Sequence, residues 1–190
     1  MKKYLIIAIT GLLLSVTSEA YALEITPGGL QQALASEAAT IVDLTLTGKG
    51  DARDLQYIST LPALRTLDMS GLQIVETKSD KAIHLSRHHF PANTLPAYIF
   101  SLSKLEKVVM PSTLTKIEEG AFASSNLNTV TFGASVKTIG SWAFYKTKLS
   151  SVVLPASTDS MGTGVFADCA NLSNAGLSAT QVTELLAKTF

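Results

Sequence analysis

Apolar residues recur between positions 95 and 172 with a fixed period of 22. The clearest column of this repeat is aromatic, and it consists of Phe100, Phe122, Phe144 and Phe166. Each Phe has an apolar residue five positions before it, and the first three are followed by an L-x-x-V pattern and one further apolar residue. A constant period of about 20 to 29 residues with such an apolar core is typical of a solenoid, in which successive turns of the chain stack.

The spacing inside one repeat predicts a short strand. The last two apolar residues of a copy, such as Val108 and Met110, lie two positions apart, so both point to the same face of a strand. One such strand cannot bury its apolar face alone, whereas stacked copies form a continuous core beneath a parallel sheet. The Phe column would form a ladder of rings on the opposite side, with about 150–250 Å² buried per ring. We therefore expect the Phe rings to be structural.

Two copies, residues 105–122 and 127–144, carry enough of the pattern to resemble a known family. They are similar to the BspA-type leucine-rich repeats of bacterial surface proteins, whose usual form is L-x-x-V-x-L-P-x-S-V-x-x-I-G-x-x-A-F. The resemblance covers residues 40–172 and departs at Gly133, where both neighbouring copies carry proline. It implies a leucine-rich-repeat solenoid of the α/β type, with one parallel sheet, short helices or turns on the opposite side, and helical caps.

The repeat domain is predicted to span residues 41–172, with a cap at each end. Residues 23–40 carry the apolar stripe of a short amphipathic helix, and residues 173–190 carry a second one. Caps are expected because a bare solenoid end exposes both apolar core and unpaired strand edges. The period fails at residues 72–94, which indicates either an insertion or a degenerate repeat. Asp51 is a suitable N-cap for a further helix before that segment.

Residues 1–22 have the form of an export signal. Lys2 and Lys3 precede an apolar run, and Ala20-Tyr21-Ala22 is a small-x-small cleavage pattern. The run is shorter than the roughly 20 residues that a membrane-spanning helix needs. We therefore predict a mature chain without a transmembrane segment that is periplasmic, attached to the cell surface or secreted.

Charge limits the possible partners, and cysteine content limits the possible disulfides. The chain has 15 basic and 15 acidic residues, and the predicted cleavage would leave it nearly neutral. Such a balance gives no support to a nucleic-acid partner or to binding of an anionic membrane. Cys169 is the single cysteine, so it forms no intramolecular disulfide, and its place in the repeat predicts a small buried side chain. Oligomeric state is open.

Catalytic motifs are missing from the sequence. It contains no P-loop, no G-x-G-x-x-G after a strand, no G-x-S-x-G and no C-x-x-C, so we predict neither an enzyme nor a cofactor. His84, His88 and His89 lie together in the irregular segment, and the first two could share a helical face as a zinc pair. Since only Asp80 is nearby as a further ligand, we predict no metal site and interpret the segment as a solvated loop that titrates near neutral pH.

The predicted sheet offers a binding surface instead. Strand residues that alternate with the core positions face outward, and the candidate partner-binding residues are Thr66, Asp68, Lys107, Val109, Thr129, Thr131, Ser151 and Val153. Such a strip also suits any soluble sheet, but stacked repeats form extended binding surfaces. The family resemblance implies protein–protein interaction or adhesion at the bacterial envelope, with host or envelope proteins as partners.

Two other function classes stay open from the sequence. A carbohydrate-binding protein is the first alternative, although the predicted strip lacks exposed Trp and Tyr side chains on which sugars stack. The single tryptophan, Trp142, lies in the Phe-bearing part of its repeat. A metal-dependent enzyme built on the histidine-containing segment is the second alternative.

Overall fold

The computed structural model describes residues 20–176 of the chain. The elements in this range follow the order β1 (Ala20–Ile25), α1 (Leu30–Ala33), β2 (Asp43–Gly50), α2 (Ala52–Ser59), β3 (Thr66–Ile74), β4 (Thr77–Lys78), β5 (His89–Phe90), β6 (Thr94–Leu95), β7 (Lys107–Val109), β8 (Lys116–Ile117), β9 (Thr129–Thr131), β10 (Thr138–Ile139), β11 (Ser151–Val153), β12 (Ser160–Met161) and β13 (Asn174–Gly176). Neither helix in this range is long and apolar enough to cross a membrane.

Two parallel ladders run along the stack. The long sheet has the order β1-β2-β3-β7-β9, and the narrow sheet, built of two-residue strands, has the order β6-β8-β10-β12. A further parallel pair joins β11 to β13. The predicted repeat solenoid is confirmed, with about six turns and few helices. The narrow sheet is an addition to the prediction, because the apolar residue five positions before each Phe pairs with its equivalent in the next turn.

The Phe column forms a continuous ladder in the core, as predicted. Phe100, Phe122 and Phe144 are fully buried, and Phe166 is nearly so. Successive ring centroids lie 5.4, 5.4 and 5.5 Å apart, within the range of favourable aromatic pairs. The regular spacing follows from the turn height, since neighbouring strands of a sheet are about 4.8 Å apart.

Left-handed backbone closes each turn around its Phe. Residues with positive φ stand two positions before and two positions after the ring, and both columns keep the period of 22. The first column consists of Tyr98, Gly120, Trp142 and Gly164, and the second of Leu102, Ser124, Lys146 and Asp168. Two such residues allow the chain to reverse direction within a few positions.

Residues 72–94 contain an insertion. Strands β3 and β7 pair directly, with Thr66 opposite Lys107, although 41 positions separate these two residues. No repeat is therefore missing between them. The extra chain includes the antiparallel hairpin of β4 and β5, in which Thr77 and Phe90 are buried.

The amino-terminal part differs from the predicted capping helix over residues 23–40. A strand, β1, comes first and pairs in parallel with β2, and the helix α1 is only four residues long. Tyr21 and Ile25 are buried and Leu23 between them is partly buried, which is the period of a strand, and Pro27-Gly28-Gly29 then delays the start of a helix to Leu30. Strand β1 includes Ala20, Tyr21 and Ala22, so cleavage after Ala22 would shorten it.

Parts of both terminal predictions lie outside the described residues. Residues 1–19 hold most of the predicted export signal, and residues 177–190 hold most of the predicted carboxy-terminal helix. The described beginning of that second segment forms strand β13.

Helix α2 confirms the cap expected at Asp51. The Asp51 side chain accepts from the Arg53 backbone N–H, and the Asp54 side chain accepts from the Asp51 backbone N–H at 2.9 Å. The buried Asp54 carboxylate also accepts from the backbone N–H groups of Gly28, at 2.8 Å, and Leu30, at 3.0 Å. This single side chain therefore fixes the loop between β1 and α1 to the start of α2.

Candidate functional site

Six of the predicted binding residues form two rows across the long sheet. Thr66, Lys107 and Thr129 occupy one row on β3, β7 and β9. The second row contains Asp68, Val109 and Thr131. The structure thus brings these six residues together on adjacent strands, as the alternation along each strand predicts.

The remaining two residues, Ser151 and Val153, lie on β11, where the ladder is interrupted. Within residues 20–176 no strand pairing joins β9 to β11. At the preceding junction the Thr129 N–H donates to the Glu106 carbonyl, at 3.1 Å, and the Met110 N–H donates to the Thr131 carbonyl, at 2.9 Å. The equivalent bonds at the β9–β11 junction are not present among the described residues.

The same two turns stay in register on their other side. In the narrow sheet, β10 pairs with β12, and the Phe144 N–H donates to the Val165 carbonyl at 2.9 Å. The turns therefore remain in contact around the Phe ladder and part only at the long sheet.

A cleft of about 490 Å³ opens at this interruption, and we name it the sheet cleft. Every residue that lines it is uncharged. Four of the predicted binding residues are part of its lining, beside apolar groups: Thr129, Thr131, Ser151 and Val153, with Asn128, Val130, Phe132, Ala134, Ser150, Leu154 and Pro155. The Val153 side chain is 73% exposed, which is unusual for an aliphatic residue within a strand.

Phe132 distinguishes the turn that precedes the interruption. It occupies the repeat position of Met110 and Leu154, which are both buried, whereas Phe132 is only partly buried. Its ring packs edge-on against Phe144, with centroids 5.6 Å apart. A ring thus stands at the interruption where the neighbouring copies have Met or Leu, and Val130 beside it is partly exposed.

Gly133 marks a close approach to the preceding turn. A Cβ atom at this position would collide with the carbonyl of Pro111 in the preceding turn. Glycine therefore replaces the proline of the neighbouring copies because the two backbones approach closely. Val130 and Phe132 were not among the predicted site residues, and the departure at Gly133 was the sequence signal that marked this turn as different.

Charged residues lie in and beside the two sheet rows, whereas the cleft lining has none. Lys107 is exposed on the first row, and the Asp68 carboxylate accepts a hydrogen bond from the Ser70 N–H at 2.8 Å. Arg65 and Glu106 form an ion pair, with 3.7 Å between Nε and Oε1, at the start of β3 and β7. The surface therefore changes from charged at β3 and β7 to hydroxyl-bearing and apolar at β9 and β11.

The histidines do not form the helical pair considered from the sequence, because their segment is a β-hairpin. The His84 ring lies between the Gln56 Oε1 atom, at 2.6 Å, and the Ala97 carbonyl, at 2.7 Å. His89 contacts the Glu76 carboxylate, and together with Lys78 it lowers the pKa of Glu76. Among residues 20–176 no group of three or more His, Cys, Asp or Glu side chains is placed to hold a metal ion.

Cys169 is half-buried rather than fully buried as predicted. Its thiol donates to the Phe144 carbonyl, with 3.1 Å between Sγ and O, and lies 3.2 Å from the Thr147 Oγ1 atom. Packing against the end of the Phe ladder accounts for this cysteine.

Comparison with known proteins identifies the repeat. The model of the BspA type leucine rich repeat region matches residues 93–190 in six copies. No curated protein was found to match the chain.

Two crystal structures of bacterial proteins are similar to the chain. One is the pneumococcal vaccine antigen PcpA, with 21% identity over 62% of this chain and a TM-score of 0.38. The other is a leucine rich cell surface protein from Faecalibacterium prausnitzii A2-165, with 14% identity over 92% of this chain and a TM-score of 0.34. The similarity covers 25% of the first protein and 47% of the second.

Proposed function

The chain belongs to the BspA-type leucine-rich repeat family, and we propose from this premise that it is a binding module that holds a protein partner on its long sheet. The observation that carries the proposal is the sheet cleft, in which four outward-facing strand residues surround an uncharged, partly apolar opening. The partner would contact the cleft and the two rows beside it.

The chemistry of this surface suits a protein partner. Protein interfaces combine a desolvated centre of low charge with a polar rim. Val130, Phe132 and Val153 supply exposed apolar surface at the cleft, and the hydroxyl groups around them offer hydrogen bonds to the partner's main chain. Lys107 and Asp68 at the border of the surface would influence which partner binds and how quickly.

We propose that this binding takes place outside the cytoplasm, at the cell surface or beyond it, and that it serves adhesion to a host or neighbouring-cell protein. The export signal predicted for residues 1–22 and the family's occurrence in surface proteins support this location. The proposed function needs no cofactor and no catalytic group, because the repeat provides a surface rather than a reactive site.

A charge-insertion variant tests the proposal. We expect the triple change Thr129→Glu, Thr131→Glu and Ser151→Glu to abolish capture of a partner from bacterial envelope or host extracellular proteins, because the partner would have to desolvate three carboxylates. All three side chains are exposed, so circular dichroism and the unfolding midpoint should match those of the unaltered protein.

A second triple variant controls for net charge. Ser112→Glu, Thr113→Glu and Ser160→Glu add the same charge at exposed positions away from the long sheet. We expect this variant to capture the partner as the unaltered protein does. Equal capture by both variants would show that the binding site lies outside the long sheet. Loss of capture by both would indicate a non-specific charge effect.

A further inference from the structure

A column of alternating aromatic residues and glycines runs along the turns that follow the narrow sheet. Tyr98, Gly120, Trp142 and Gly164 stand at the same position of four consecutive turns, with φ values of 56°, 59°, 54° and 61°. This left-handed region favours glycine, and bulky residues seldom adopt it. Two of the four positions nevertheless carry large rings.

Each ring lies over the glycine of the next turn. A Cβ atom at Gly164 would come within 2.7 Å of the Trp142 Cδ1 and Nε1 atoms, and a Cβ at Gly120 would overlap the Tyr98 ring. A side chain at either glycine would therefore displace the ring that lies over it, and both glycines also have positive φ. The glycines provide flat backbone surface on which the two rings rest.

The rings are available to a ligand. Trp142 is 46% exposed, and Tyr98 is partly exposed. Since the two residues are two turns apart and neighbouring strands lie about 4.8 Å apart, their spacing along the stack is about 10 Å. The hydrophobic core does not need these rings, because the buried Phe ladder already fills the interior of the same turns.

Polar groups lie between and beside the rings. The exposed Glu119 carboxylate accepts a hydrogen bond from the Tyr98 hydroxyl, and this bond raises the pKa of Tyr98. Ser141, directly before Trp142, accepts at Oγ from the Thr163 N–H at 3.1 Å. Carboxylate and hydroxyl groups beside aromatic rings suit a ligand that is rich in hydroxyl groups.

We propose that this aromatic row, defined as Tyr98, Glu119 and Trp142, binds a neutral oligosaccharide. The C–H faces of sugar rings pack on aromatic rings, and their hydroxyl groups donate to carboxylates. Two ring platforms at a regular spacing suit a polymer with a regular repeat, and the spacing is comparable to one disaccharide unit of an extended chain. The aromatic row lies on the turns, so this binding is separate from that of a protein at the sheet cleft.

The single tryptophan makes the proposal directly measurable. The full chain is titrated with neutral oligosaccharides, cellotetraose and chitotetraose first and a neutral glycan array second, and Trp142 fluorescence is recorded. We expect a saturable change in emission with at least one of these glycans, because a sugar stacked on the indole displaces water from it. Absence of saturable binding to every neutral glycan tested would overturn the proposal.

Glycine variants then locate the site without straining the backbone. Trp142→Gly and Tyr98→Gly are each expected to weaken binding, measured by calorimetry, about tenfold or more, because glycine tolerates the left-handed conformation but offers no ring. Leu102→Gly is the matched control, since Leu102 has φ 58° and is 79% exposed in the second column. It should bind as the unaltered protein does.

Two further results would contradict the proposal. Unchanged glycan affinity in Trp142→Gly would place the glycan elsewhere. Loss of protein capture in Trp142→Gly, with no glycan bound by the unaltered protein, would make the row part of a protein interface. If Trp142→Gly does not fold, the Tyr98→Gly variant retains the tryptophan, and its fluorescence titration decides the question.

Discussion

Replacement of Phe144 by alanine is expected to lower the free energy of unfolding by about 3–5 kcal/mol, the usual cost of removing a buried ring and leaving a cavity. The Phe144 ring is fully buried and stacks between Phe122, at 5.4 Å, and Phe166, at 5.5 Å. Its edge contact with Phe132 would also be lost. Domains of this kind have total stabilities of about 5–15 kcal/mol, so the variant should lose a large fraction of its stability.

Urea denaturation followed by circular dichroism measures this loss. Leu102→Ala is the matched control, because Leu102 is also an apolar residue in a Phe-bearing turn but is 79% exposed. Its effect should stay within about 0.5 kcal/mol. A loss below about 1 kcal/mol for Phe144→Ala would mean that the ring ladder does not carry the core.

Replacement of Asp54 by alanine is expected to lower the free energy of unfolding by about 3 kcal/mol or more, although Asp54 is a charged residue in a short helix. Its carboxylate accepts the backbone N–H groups of Leu30, at 3.0 Å, and Asp51, at 2.9 Å, in buried bonds, and that of Gly28, at 2.8 Å, in a partly buried one. Alanine would leave the two buried donors without their acceptor, and each unpaired buried donor costs about 1–3 kcal/mol. Helix α2 would also lose the second half of its capping box.

The unfolding free energy of Asp54→Ala should be compared with that of Asp80→Ala, which removes an exposed carboxylate. Amide hydrogen exchange at Gly28 and Leu30 gives an independent local measurement, since these two amides should exchange faster only in the Asp54 variant. Equal stability of the two variants would show that the Asp54 bonds do not fix the amino-terminal turn.

The regular part of this fold could be predicted because each turn buries the same apolar positions in the same way. The Phe ladder and the core positions of β7, β9 and β11 follow from a period that four turns share. The two rows of outward-facing residues follow from the same alternation. Asp51 was also recognisable, since an aspartate before a helix satisfies free N–H groups whatever the tertiary context.

The exceptions depend on contacts between turns, which a repeat pattern does not contain. Strand β1 forms because β2 offers it a free edge, which outweighs the weak helical stripe of residues 23–40. The insertion could be distinguished from a lost repeat only when β3 was seen to pair with β7.

The candidate site likewise has a part that the sequence predicts and a part that it does not. The residues that face outward were predictable, but the cleft among them was not. Its lining includes Phe132, whose ring packs against Phe144 of the same repeat. The sequence placed Trp142 in the Phe-bearing part of its repeat, but its exposure and its left-handed backbone conformation appear only in the structure.

Binding of a protein partner at the sheet cleft is tested most directly by site-specific photo-crosslinking. A benzophenone amino acid replaces Thr131, which lines the cleft, and in a parallel sample it replaces Thr113, an exposed residue outside the long sheet. The result predicted here is one partner crosslinked strongly from position 131 and weakly or not at all from position 113. Crosslinking of that partner from position 113 alone would contradict binding at the cleft.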